Sequence, residues 1–181
     1  AEPAAIVTRP IAAHAIDLPV RSLLRTLIAL GIAGVAAGLY LTQPRSLPAN
    51  FAADMTEDAR AGALVFAATG CASCHVTEDE QSEGLPVLAG GQAFASDFGT
   101  FYAPNISSDS VTGIGDWSLE DFARAVTLGV SPQGSHYYPA FPYAAYQHMT
   151  DQDVADLYAY MQTLPASATP SRNHDVGFPF N

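Results

Sequence analysis

The sequence predicts an all-α fold, in which one transmembrane helix precedes a small domain of three helices joined by long loops. Residues 26–44 contain no charged side chain, which is typical of a membrane-spanning helix. Three later segments carry apolar residues at helical spacing, and no segment shows the alternation that indicates a strand.

The apolar run predicts a transmembrane signal-anchor helix over residues 21–43. Its core, residues 27–41, is close to the lower limit of about 17–25 residues for a spanning helix. Arg25 can snorkel to the interface and extend the usable length. A cleaved signal peptide is the alternative, but no clear small-x-small cleavage site precedes Pro44.

The flanking arginines predict the orientation of this helix. Arg9, Arg21 and Arg25 precede the apolar run, whereas only Arg45 follows it closely. The positive-inside rule then makes residues 1–20 a cytoplasmic tail and places the rest of the chain outside.

Gly34 and Gly38 lie on one face of the predicted membrane helix. Their spacing permits the close approach of another membrane helix, which would be a partner. Gly and Ala are also common in membrane helices that lack such a partner, so both interpretations stay open.

Residues 44–55 are predicted to be a linker, and residues 56–68 the first helix of the domain. Thr56 is the expected N-cap, because threonine is a favoured residue at that position. Gly62 and Phe66 lie four residues apart and therefore share one face of the helix.

The motif Cys71-Ala72-Ser73-Cys74-His75 follows that helix and is the attachment signature of a c-type haem. Each thiol of the motif adds to one vinyl group of the porphyrin, and the adjacent His reaches the iron. A structural zinc site needs about four ligands, and the chain has no second cysteine pair. A disulfide or a thioredoxin-like pair would leave the adjacent His unexplained. The motif therefore predicts one covalent haem c.

A long, weakly regular stretch continues from the motif to residue 116. The acidic residues at 78–80 and 83 are predicted to form a solvated loop. Connections this long are unusual and tend to be functional. Packing of the loop against a porphyrin would account for the stretch.

The second helix is predicted over residues 117–128, followed by a loop rich in Pro and Tyr over residues 130–149. Ser118 and Asp121 resemble a capping box, and Gly129 is the expected stop.

The last helix is predicted over residues 151–164, with Thr150 as its cap and Pro165 ending the pattern. The predicted domain thus spans residues 56–165, and residues 166–181 are expected to be an extended tail.

The charge of the chain limits its partners. The formal net charge is −11 and the isoelectric point is near 4.5, so nucleic acid is excluded as a partner, because phosphate binding needs clustered Lys and Arg. A basic docking face on a protein partner suits this charge. His14 and His174 have no predicted partner and are expected to be solvated.

The order of three features resembles the class I cytochrome c fold. They are a helix with Gly62 and Phe66, the haem motif, and a last helix with Leu157 and Tyr160. In that fold the first and last helices cross through such small and aromatic residues.

Several further stretches look like the cytochrome c subunits of bacterial membrane-bound dehydrogenases for alcohol, aldehyde, gluconate or nicotinate. These stretches are 98–100, 103–106, 112–118, 136–143 and 149–151. The likeness covers about residues 60–165. The chain departs from those subunits in carrying one haem motif where they often carry three, and in ending at the Phe-Pro-Phe-Asn segment that they tend to continue past. It is therefore either a one-haem relative or part of a longer chain.

The resemblance implies that a Met from the loop before the last helix is the sixth iron ligand, opposite His75. Met149 fits that position best, because Met55 precedes the motif and Met161 lies on the apolar stripe of the last helix. Some relatives carry Met where this chain has Phe141. His136 and His148 are the alternatives to Met149.

Four further residues are weaker candidates for contact with the haem. Pro104 and Asn105 would place their loop near a propionate, Trp117 would donate through its indole, and Tyr138 would pack nearby. The alternative is that they fill the core beneath the long loop.

The resemblance implies an electron carrier that is not an enzyme on its own. It would be bound to the bacterial inner membrane with its haem domain in the periplasm. It would pass electrons from a dehydrogenase subunit or a bc1-type respiratory complex towards a terminal oxidase. A haem enzyme or sensor with an exchangeable sixth ligand, either peroxidase-like or gas-binding, is the alternative function.

Overall fold

The computed structural model describes residues 17–52, 55–76, 81–82 and 84–179. The chain divides into two units, residues 1–43 and 44–181. Most of the predicted cytoplasmic tail, with His14, lies outside the described residues. So does the predicted acidic loop at 78–80 and 83.

The first unit contains one long helix, α1, over Asp17–Leu41. The part from Pro19 to Leu41 is long and apolar enough to cross a membrane, with a mean hydropathy of 1.8. Length and composition fit a membrane anchor and a signal sequence equally. At Gly34 and Gly38 no heavy atom lies within 4 Å of where a Cβ would stand.

Within its described residues, the second unit contains three main helices and two single-turn helices. They are α2 (Ala59–Thr69), α3 (Ala72–His75), α4 (Leu119–Leu128), α5 (Tyr143–Tyr146) and α6 (Asp151–Met161). The predicted capping boxes at Ser118 and Thr150 are both confirmed. The predicted cap of the first helix is wrong. Asp58 caps α2, because its carboxylate accepts from the backbone N–H of Arg60 at 2.8 Å.

The core forms where α2 crosses α6, as the resemblance implied. Gly62 lies against the backbone carbonyl of Asp156, so no side chain fits between the helices at that point. The rings of Phe66 and Tyr160 pack next to it, with centroids 5.2 Å apart. The buried carboxylate of Asp156 accepts from the backbone N–H of Asp58 at 2.9 Å, which ties the start of α2 to α6.

Five short strands in the described part of the chain show that the purely all-α prediction is too narrow. They are β1 (Gln81–Ser82), β2 (Leu85–Pro86), β3 (Ala93–Ser96), β4 (Gly99–Tyr102) and β5 (Asp175–Val176). The first two form an antiparallel pair, and the others form an antiparallel sheet in the order β3-β4-β5. The longer strands, β3 and β4, lack the buried-exposed alternation that a sequence pattern can reveal. They pair with each other as an antiparallel hairpin that turns at residues 97 and 98.

Candidate haem-binding site

The end of α2 places the Cys-x-x-Cys-His motif. Gly70 adopts a left-handed conformation with φ of 70°, which ends α2 and lets the chain turn at once into α3. The single turn of α3 carries Cys74 and His75, and Cys71 immediately precedes it.

His75 is held in one orientation by a backbone carbonyl. Its Nδ1–H donates to the carbonyl oxygen of Pro104 at 2.8 Å, which fixes the tautomer and leaves Nε2 free to act as a ligand. Burial lowers the pKa of His75, so the imidazole stays neutral near neutral pH, as ligation of a metal requires. A covalent haem needs two thiols that can form thioether bonds and one imidazole nitrogen that can bind the iron. Cys71, Cys74 and His75 supply these groups, so the residues fit that cofactor.

The backbone at Gly90 and Gly91 packs closely against the residues that form the His75–Pro104 bond. The backbone N–H of Gly90 donates to the carbonyl of His75 at 2.8 Å, and that of Gly91 donates to Ala103 at 2.8 Å. Gly90 has φ of 74°, and a Cβ there would stand 2.5 Å from the Ala103 oxygen, so only glycine fits. Gly90 and Gly91 thus link His75 to the part of the chain that contains Ala103 and Pro104.

Gln92 is a supporting residue that sequence reasoning missed. With the side-chain amide turned so that its nitrogen faces these acceptors, it donates to the carbonyls of Ser73 and Cys74, at 3.1 and 3.3 Å. In the sequence, the Gly90-Gly91 pair just before Gln92 is the feature that indicates a close approach of two backbone segments at this point.

Both cysteines are free thiols in the structure. Cys71 packs against the core, and burial raises the pKa of its thiol. Its sulfur lies 3.4 Å from the hydroxyl of Thr69, and the sulfur of Cys74 lies 3.6 Å from the hydroxyl of Ser73. Cys71 and Cys74 are the groups that would form the two thioether bonds.

The loop that carries Met149 lies over the end of α2. The hydroxyl of Tyr146 donates to the carbonyl of Thr69 at 2.9 Å, and the backbone N–H of Met149 donates to Tyr146 at 3.0 Å. Burial raises the pKa of Tyr146, and the nearby Cys71 and Cys74 raise it further. These contacts bring the loop close to the attachment motif.

The alternatives to Met149 are placed differently. The side chain of Met149 is half-buried against the core, whereas His136 and His148 are exposed. Met161 is 2% exposed within the core, which accounts for it as a packing residue. Met55 is half-buried and precedes α2.

The four weaker candidates have mainly structural contacts. The Asn105 side-chain amide donates to the backbone carbonyls of Ser167 and Thr169, at 2.7 and 2.8 Å, so its donors are already used. Trp117 packs against the core, and its carbonyl accepts from the hydroxyl of Tyr158 at 2.8 Å. Tyr138 contacts the ring of Phe101, and Pro104 acts through its carbonyl as described. Contact of these residues with a haem stays a prediction.

An apolar groove lies between α2 and the loop of Met149. It is lined by Leu64, Val65, Ala68, Thr69, Ala145, Tyr146, Met149 and Asp153. Leu64, one of these lining residues, is 75% exposed.

Comparisons with known proteins point the same way as the geometry. Residues 59–165 match the protein family described as "Cytochrome c". A protein named "Diheme cytochrome c-type" from Cereibacter sphaeroides is 48% identical over 161 residues, which are 89% of this chain and 54% of that relative.

Two cytochrome subunits of dehydrogenases are also similar to the chain. The fructose dehydrogenase cytochrome subunit of Gluconobacter japonicus is 39% identical over 66% of this chain and 24% of that relative. The gluconate 2-dehydrogenase cytochrome c subunit of Pantoea cypripedii is 37% identical over 74% of this chain and 30% of that relative. The chain thus spans about half of the Cereibacter relative and smaller parts of these two.

Proposed function

Because this chain belongs to the cytochrome c family, we propose that it is a membrane-tethered electron carrier with one covalent haem. In this proposal it accepts single electrons from a periplasmic dehydrogenase or a respiratory complex and passes them towards a terminal oxidase. The observation that carries the proposal is the bond from His75 Nδ1 to Pro104, which orients the imidazole of a Cys-x-x-Cys-His motif whose two cysteines form no disulfide. The similar cytochrome subunits of fructose and gluconate dehydrogenases support a dehydrogenase as the electron donor.

The haem, when bound, supplies a one-electron change at its iron. The chain's own residues would hold it: Cys71 and Cys74 would form the thioethers, and His75 and Met149 would bind the iron. With both side chains bound, no position would be left for a substrate, which would suit electron transfer rather than catalysis.

Replacing the sixth ligand tests this proposal. We expect Met149→Ala to lower the reduction potential by about 0.1 V or more, since axial ligands set haem potentials over a range of ~0.8 V. The variant should also bind carbon monoxide and lose the weak far-red band of a sulfur-iron bond. Redox titration and absorption spectroscopy measure all three.

The matched control is Met161→Leu, which removes a sulfur from the core and should leave the three readouts nearly unchanged. The assignment is wrong if Met149→Ala keeps the far-red band while His136→Ala or His148→Ala alters the spectrum. A wild-type protein that itself binds carbon monoxide would favour the haem enzyme or sensor.

In this proposal, the negative charge of the second unit favours docking to a partner with a basic surface. Residues 44–181 contain four arginines, no lysine and sixteen acidic residues. A partner with a basic rim is attracted to such a surface. The groove beside Met149 offers an apolar centre, with Leu64 exposed at its edge.

Ionic strength tests this docking surface. Raising salt from 0.01 to 0.15 M shortens the Debye length from about 30 Å to about 8 Å. We expect oxidation of the reduced protein by the cationic tris(phenanthroline)cobalt(III) to slow about tenfold over this range, because attraction is screened. Oxidation by the anionic hexacyanoferrate(III) is the control and should become faster. Equal salt dependence for the two oxidants would contradict the acidic docking surface.

Membrane fractionation tests the anchor. Because α1 is apolar and exposed along its length, the protein should pellet with membranes and resist salt and carbonate washing. A shortened chain that starts at Ala49, exported by a cleavable signal, should be soluble and still bind haem. Expression of the whole chain that yields periplasmic protein with a new N-terminus near Leu47 would show that α1 is a signal peptide.

A further inference from the structure

The segment 164–176, which we call the strap, is fastened to the loop that contacts His75. The carbonyl of Ser167 accepts from Asn105 Nδ2 at 2.7 Å and from the Thr112 hydroxyl at 2.9 Å. The carbonyl of Thr169 accepts from the same Asn105 nitrogen at 2.8 Å. Asn105 is 3% exposed, so these bonds form away from water.

A second contact acts on the backbone beside His75. The backbone N–H of Asn105 donates to the hydroxyl oxygen of Ser171 at 2.9 Å. This N–H and the carbonyl of Pro104 belong to one planar peptide group. Ser171 therefore holds one side of the peptide group whose other side accepts from His75 at 2.8 Å.

The strap is also held just beyond Ser171. The guanidinium of Arg172 lies 4.0 Å from the ring centroid of Tyr102. The backbone N–H of Tyr102 donates to Nδ1 of His174 at 3.1 Å, and β5 pairs with β4 directly after it. His174 is exposed, as expected, but the expectation that it has no partners is wrong, because its ring also contacts Phe101 and Tyr138.

We infer that Ser171 and Asn105 are positioning residues for His75, which they reach through the 104–105 peptide group. This inference rests on the proposed function, in which His75 is an iron ligand. Donation of the Asn105 N–H to Ser171 polarises the peptide group and strengthens its carbonyl as an acceptor. A stronger acceptor makes the imidazole a better electron donor to a metal. The strap therefore keeps His75 in one orientation and lowers the reduction potential.

The test is Ser171→Ala, a change at an exposed position of the full chain. We expect hydrogen exchange of the His75 Nδ1–H, followed by NMR in the reduced protein, to become about tenfold faster, as loss of roughly one hydrogen bond implies. The reduction potential should rise. Ser171→Thr keeps the hydroxyl and should restore both values.

Thr163→Ala is the matched control, because that hydroxyl bonds only the local Tyr160 carbonyl, at 2.6 Å. Asn105→Ala is a second variant, which removes the side-chain bonds to Ser167 and Thr169 and keeps the backbone N–H that donates to Ser171. Because the strap is then held less firmly, it should show the same two shifts with a smaller size. The inference is overturned if exchange at His75 is unchanged, or if it rises only as much as the amides of α2. Failure of the proposed function looks different, since the wild type would then lack a covalent haem.

Discussion

Replacement of both Cys71 and Cys74 by alanine is expected to abolish covalent attachment of haem. The two cysteines are the only ones in the chain, and the single helical turn that follows Cys71 ends at His75. Without them no thioether can form, so acid-acetone should extract any remaining haem. In the wild type the haem should stay with the polypeptide, and either single substitution should weaken attachment.

Ser73→Ala is the control for this loss, because it changes the same motif but removes only a bond to the Gly70 carbonyl at 2.6 Å and a contact with the Cys74 sulfur. It should keep the full complement of haem. Complete extraction of haem from the wild type would refute the assignment of the motif.

Gly62→Val is expected to destabilise the second unit by ~3 kcal/mol or more, the upper range for overpacking of a core. A Cβ at position 62 would overlap the carbonyl of Asp156 and stand 2.8 Å from the Cβ of Tyr160, so α2 and α6 would have to separate. Helix propensity predicts the opposite sign, because glycine costs about 1 kcal/mol inside a helix. Thermal unfolding of the haem-loaded protein measures the difference.

The control for this substitution is Ala67→Val, which places a valine at an exposed position of the same helix. Its effect should stay below about 1 kcal/mol. Equal melting temperatures for the two variants would show that the crossing does not depend on glycine.

The helices of the second unit could be predicted because their signals are local. Ser118 and Thr150 each bond the third residue of the helix that they begin, so the cap and its partner appear together in the sequence. The cap of α2 was misplaced because Thr56, Glu57 and Asp58 all suit a helix start. The carboxylate of Asp156, 98 residues away, binds the backbone of Asp58 and so marks the true start.

The pairing of β5 with the sheet and the contacts of the strap could not be predicted, because groups far apart in the chain hold them. Gly99 pairs with Val176, and the Asn105 side chain binds carbonyls 62 and 64 residues away. Every residue has a backbone carbonyl, so the order of side chains in the sequence does not show which carbonyl accepts a hydrogen bond.

The site shows the same division. The spacing of the motif at 71–75 is enough to predict haem attachment. Gln92 and Ser171 are distant from the motif in the sequence, so their contacts near it appear only in the folded structure. The bond from His75 to Pro104 likewise joins distant parts of the chain, so spacing could not reveal it.

The most direct test of electron transfer at a fully coordinated haem is one difference spectrum of the reduced, full-length protein, recorded with and without carbon monoxide. We predict a c-type spectrum that carbon monoxide leaves unchanged, because His75 and Met149 would both bind the iron in the proposed function. A large spectral shift on addition of carbon monoxide would contradict the proposal and indicate an open site for a small ligand.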